Sequence, residues 1–207
     1  MELSQILPAV CVIAGILLLK PIVNTIPSLI GCLARWKECV NLENSMKLRR
    51  ERNIFAVFLI VPFCLVAARY HLYSPEFTEG LSPEGNLGIT AGAFFGYLLF
   101  RAAMAWSAGR PKGNEKIYDA ARNCPASFFC IMVPVILSVA GICSFSDISE
   151  NLTRQLILYS ILVLFIVSVI RKFQILRNCC SFLTSILYLC ALEILPAGIL
   201  ILSAVLL

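Results

Sequence analysis

The sequence contains one histidine, His71, among 207 residues. Sites that need several imidazoles are excluded by that scarcity: bis-histidine haem, multi-histidine zinc and the HExxH helix all lack ligands. Charge is scarce as well, at 14% of residues against about 25% in soluble chains. A normally polar surface cannot be built from so few charges. No CxxC, GxSxG, GxGxxG or Walker A string occurs, which removes the signatures of redox pairs, α/β-hydrolases, dinucleotide folds and P-loop sites. No apolar stretch carries paired acids, and this disfavours an aspartyl protease working within a membrane. Nothing basic precedes Lys20, so the opening lacks the n-region of a secretory signal and its apolar run is expected to be retained.

What the chain has in abundance is apolar side chains, 59% of the total. A membrane-spanning helix needs about 20 mostly apolar residues at about 1.5 Å each to cross a hydrocarbon core of about 30 Å. Six stretches qualify, at about 5–19, 53–69, 87–107, 126–145, 154–170 and 181–207. The expected fold is therefore all-α, a single bundle of about six spans covering residues 1–207. Between the first two spans, Leu29, Leu33, Trp36 and Val40 recur at helical spacing while Arg35, Lys37 and Glu38 take other faces. That pattern predicts an amphipathic helix over about 28–44 lying in the membrane interface. Pro62, Pro134 and Pro196 fall inside spans and mark kinks, since neighbouring helices can satisfy the freed carbonyls.

The net charge of +5 invites thought of nucleic acid, but the basic residues sit between apolar runs. Segments 20–52, 108–125 and 171–180 hold 14 of the 17 Lys and Arg, whereas the intervening segments carry Glu76, Glu79, Glu84, Asp147 and Glu150. By the positive-inside rule the basic segments are cytoplasmic and both termini lie on the outer side. Nucleic acid is accordingly not expected as a partner. The basic clusters, Arg49, Arg50 and Arg52 before the second span and Arg110, Lys112 and Lys116 in the third loop, are candidates for contact with anionic lipid or a protein partner. The ten cysteines, several of them inside apolar runs, read as small hydrophobes rather than a disulfide or metal framework, and no metal or cofactor is expected.

Three features stand out as candidate sites. Gly88, Gly92 and Gly96 recur every four residues, leaving one helix face nearly bare, as in GxxxG contacts. Packing within the chain is the first reading of that face and a subunit interface the second. Arg101 and Glu193 are charges well inside spans, where each costs at least about 2.5 to 3.5 kcal/mol unless it faces protein or water. They suit an ion pair with each other, a protonatable Glu193 on a conduction path, or contact with another subunit or a lipid headgroup. His71, beside Tyr70 and Tyr73, reads as part of an interfacial aromatic belt.

The last span contains the string Leu187-Tyr188-Leu189-Cys190-Ala191-Leu192-Glu193-Ile194-Leu195-Pro196. It resembles the C-terminal signature of a Bacteroidota inner-membrane family known as domain of unknown function 4271. The likeness extends back to the basic segment around Arg49–Arg52 and is loose over the first forty residues. The resemblance implies a bacterial inner-membrane location and makes Tyr188, Cys190, Glu193 and Pro196 part of a family motif, but it implies no activity. The expected function is a non-enzymatic subunit or accessory factor of cell-envelope machinery such as secretion, insertion or assembly, with lipids and other membrane subunits as partners. The alternative is a small transporter or channel with Glu193 on a proton or substrate path; an enzyme acting on lipid lacks a nameable nucleophile and base.

Overall fold

The structure is a computed structural model that describes residues 19–73, 82–107, 115–178 and 180–206. Its elements in chain order are α1 (Leu19–Ala34), α2 (Trp36–Asn44), α3 (Met46–Arg69), α4 (Pro83–Ser107), α5 (Glu115–Phe145), α6 (Glu150–Arg177), α7 (Phe182–Leu189), one π turn (Cys190–Ile194) and α8 (Leu195–Leu206). Five segments are long and apolar enough to cross a membrane: α3, α4, α5, α6 and the continuous run α7–π–α8. The expected span at 5–19 lies outside the described residues apart from Leu19, which opens α1.

The amphipathic segment differs from the single helix expected over 28–44. It forms two helices broken at Arg35, whose backbone is extended at φ −140° and ψ 127°. The break has a physical cause. Carbonyls in the last turn of a helix lack partners within it, and Arg171 of α6 supplies one by donating from Nε and Nη2 to the Leu33 carbonyl at 3.1 and 2.8 Å. A second break follows at Ser45, whose hydroxyl accepts from the Leu48 amide at 3.5 Å and so caps α3.

The spans outrun their sequence-read limits on the side where the basic residues lie. Helix α3 begins at Met46 rather than 53, and α6 runs to Arg177 rather than 170. Their polar ends carry the helices past the apolar core. Pro27, Pro62, Pro125 and Pro134 all sit inside helices.

The main core lies toward the basic end, where α1 and α2 wedge between α3, α5 and α6. Leu29, Cys32, Cys39, Leu42, Phe55 and Ile175 are among its buried members. A smaller cluster of Ile136, Ala140 and Ile157 joins α5 to α6 nearer the other end. Phe63, Phe94 and Phe129 meet with centroids 5.0 to 5.7 Å apart, tying α3, α4 and α5 together. The outer surface is apolar: Val57, Leu99, Tyr159, Val163, Leu187 and Ile201 are all exposed. Contiguous apolar exposure on this scale would aggregate in water and suits lipid.

Two contacts fix which helix ends lie together. Tyr73, just beyond α3, shares a hydrogen bond of 3.2 Å with Ser203 of α8. His71 Nδ1 meets the Asn86 carboxamide nitrogen at 3.1 Å, joining the end of α3 to the start of α4. His71 has a left-handed backbone, φ 47°, that turns the chain out of α3.

Candidate functional site: a buried carboxylate between two cations

Glu193 lies on the π turn, and the local sequence explains the turn. Pro196 has no amide hydrogen, and its ring crowds the carbonyl four residues back, that of Leu192. Widening the helix by one residue relieves the conflict, and the Leu195 amide bonds to the Cys190 carbonyl five residues earlier. Pro196 is itself fully buried. The extra residue turns Glu193 inward, where 4% of its surface remains exposed.

Two cations meet that carboxylate at the same oxygen. Arg101 Nη2 donates to Glu193 Oε1 at 2.9 Å, and Lys172 Nζ donates to Oε1 at 2.5 Å. The pairing of Arg101 with Glu193 considered from the sequence is thus present, and Lys172 joins it. Measured along their helices from the basic end, Arg101, Lys172 and Glu193 lie roughly 9, 8 and 16 Å deep at about 1.5 Å per residue. Long basic side chains cover the difference. Lys172 is almost fully buried, whereas Arg101 keeps 20% of its side chain exposed. The cluster therefore sets two basic side chains against one acid and ties α4 and α6 to the last span. Among the described residues Oε2 of Glu193 has no hydrogen-bond partner.

Lys172 falls in the basic segment 171–180, which reads from the sequence as cytoplasmic rather than as part of a span. Helix α6 continues past it, and the apolar residues Phe173, Ile175 and Leu176 carry the signal that could have placed it inside the helix.

A second buried cluster joins α2, α3 and α5. Arg52 Nη1 donates to Glu43 Oε2 at 2.7 Å and to the Ser127 hydroxyl at 3.3 Å. Asn123 Nδ2 donates to Glu43 Oε1 at 2.7 Å, and the Arg52 guanidinium also donates to Asn53 Oδ1 at 2.9 and 3.2 Å. Arg52 is 2% exposed, so it is an internal strut and not the lipid or partner contact expected of it. Its neighbour Arg49 is 3.8 Å from Glu43 with 44% of its side chain exposed, and Arg50 is exposed. Arg110 and Lys112 lie outside the described residues, as does the side chain of Lys116.

The remaining sequence-read residues separate. Tyr188 stacks edge-on against Tyr118 of α5 at 5.9 Å, while Cys190 is exposed. Gly88, Gly92 and Gly96 form an exposed face of α4, and a Cβ built on any of them meets no described residue within 4 Å. The packing within the chain first read for this face is therefore absent among the described residues, because α4 presents Phe94 and Tyr97 to the bundle instead. Cys32, Cys39, Cys64, Cys124, Cys130 and Cys143 are buried free thiols.

Five apolar crossings around a buried, charge-paired interior define a multi-pass α-helical membrane protein. The chain belongs to the family Domain of unknown function (DUF4271), whose family model matches residues 36–203. No curated protein and no solved structure matches it.

Proposed function

We propose that this protein is a non-enzymatic subunit or accessory factor of bacterial inner-membrane machinery of the cell envelope, acting in secretion, insertion or assembly. The observation that carries the reading is a face of α4 that no described residue covers: Gly88, Gly92 and Gly96 are all exposed there, and only 6% of the most apolar stretch of that helix is buried. In lipid, helices associate through close backbone approach rather than hydrophobic driving force, so a bare glycine face suits a neighbouring helix better than acyl chains. The charge-paired interior fits the same role. Glu193, Lys172 and Arg101 hold the last span in place with most of their charge internally compensated. The basic helix ends face the cytoplasm in this reading, and both termini lie outside.

A photo-crosslinking residue at position 92, irradiated in native membranes, tests it. A discrete protein adduct is expected there and none at Val163, an exposed position on α6. Lipid adducts alone at both positions would contradict a subunit role.

One observation favours a second reading, a small transporter or channel. Glu193 has a carboxylate oxygen without a partner among the described residues and sits on a π turn, a feature frequent at functional sites. Proton or solute flux in liposomes abolished by Glu193→Gln, in protein that still folds, would establish that role; unchanged flux would remove it.

A further inference from the structure

A cavity of about 600 Å³ opens at the basic end, in the angle where α1 breaks from α2 against the end of α6. Its lining includes Arg35, Lys37, Arg171 and Arg177, together with Trp36 and Gln174. Four cations converge there and no acid lines it. Among the described residues none of the four has a carboxylate oxygen within 4.0 Å. Glu38, the acid in the first turn of α2, packs its side chain against Gly31 and does not line the cavity. Such a cluster repels itself unless an anion enters.

The contrast with the opposite end is direct. The cavity of about 220 Å³ beside Arg69 is also lined by Asp147 and Glu150, so two acids share it with its one cation. The basic cavity has no such acids, and its architecture is built rather than incidental. Arg171 is held by two hydrogen bonds to the Leu33 carbonyl and one to Gln174 Oε1, at 2.8 Å. The extended backbone at Arg35 starts α2 at the rim, and no side chain caps it. The first amides of a helix have no partner inside it and favour negative charge.

We propose that this cavity binds a phosphate group. The shared chemistry is a tetrahedral anion with several acceptor oxygens, matched by guanidinium donors and helix amides. An anionic phospholipid headgroup is the favoured source. Ile30 of α1 and Ile170 of α6 are exposed on the two helices that form the walls, offering a track for acyl chains, and half-buried Trp36 suits the interface. Free inorganic phosphate is the other source of the same group.

Native mass spectrometry of the whole chain in mild detergent separates these sources. Phosphatidylglycerol and phosphatidylcholine are titrated in parallel, and thermal unfolding is followed with inorganic phosphate against chloride at equal ionic strength. We expect phosphatidylglycerol to bind at least about tenfold more tightly than phosphatidylcholine, and Arg35→Gln/Arg177→Gln to weaken it by about thirtyfold, from about 1 kcal/mol per basic residue. Both residues are exposed, so the variant should fold. The control Arg49→Gln/Arg50→Gln removes equal charge outside the cavity. Stabilisation by phosphate without lipid preference, lost in Arg35→Gln/Arg177→Gln, would assign the site to free phosphate. Equal binding of both lipids with no phosphate effect, or equal losses in the two double variants, would overturn the proposal.

Discussion

Two buried carboxylates organise this molecule, and they are held in different ways. Glu43, near the basic end, has both oxygens engaged, one by Arg52 and the other by Asn123, with Arg49 reaching in from solvent. Glu193, deep in the last span, has both of its cations on one oxygen. The partners of Glu43 are spread over charged and neutral donors, and its chief cation, Arg52, has further acceptors in Ser127 and Asn53. Lys172 has Glu193 alone among the hydrogen bonds of the described residues. The first cluster can lose a member and remain largely satisfied. The second depends on one carboxylate, which also demands the π turn that aims it.

That difference ranks the effects of substitution. The largest is expected for Glu193→Gln, which strands a buried lysine inside the bundle. Breaking such a pair from one side costs about 3 to 5 kcal/mol, read as a drop in the unfolding transition in detergent. Next is Glu43→Gln, where Arg52 keeps Ser127 and Asn53 and Asn123 can bond to the new amide; a loss of about 2 kcal/mol is expected. If Glu43→Gln proves the more damaging, the contrast between the two sites is reversed. Arg49→Gln should cost less than about 0.5 kcal/mol, since a half-exposed ion pair at this distance contributes little. Smallest of all is Gly92→Leu, which should leave stability unchanged, because a side chain there meets no described residue. It should nonetheless abolish a protein crosslink on that face.

Legibility from sequence follows the same division. Apolar runs of span length announce themselves by composition, and so did Arg101 and Glu193, since a charge amid apolar residues is visible wherever its partner lies. The resemblance to DUF4271 read from the last span agrees with the family model's match over residues 36–203. Lys172 was hidden by a boundary: in a basic segment it looked like a loop residue, and only the true end of α6 at Arg177 places it inside the bundle. Arg52 was hidden by the same ambiguity in reverse, being one of three arginines within residues 49–52 with nothing to mark which faces inward. The pairing of Glu43 with Arg52 depends on the break at Ser45, and the break at Arg35 depends on Arg171, which lies more than 130 residues further along the chain. Local pattern carries no trace of a carbonyl cap delivered from that distance. The glycine repeat was visible, but its direction was not, because the aromatic residues of α4 and not its glycines find the core.

The central claim is that Glu193 serves as the internal counter-ion of Lys172. Thermal unfolding of wild type, Glu193→Gln, Lys172→Met and the double variant Glu193→Gln/Lys172→Met tests it most directly. The account predicts that the double variant recovers at least half the stability lost in Glu193→Gln, because the stranded charge is gone and the partly exposed Arg101 can reach toward water. Losses that simply add, leaving the double variant less stable than either single one, would contradict it.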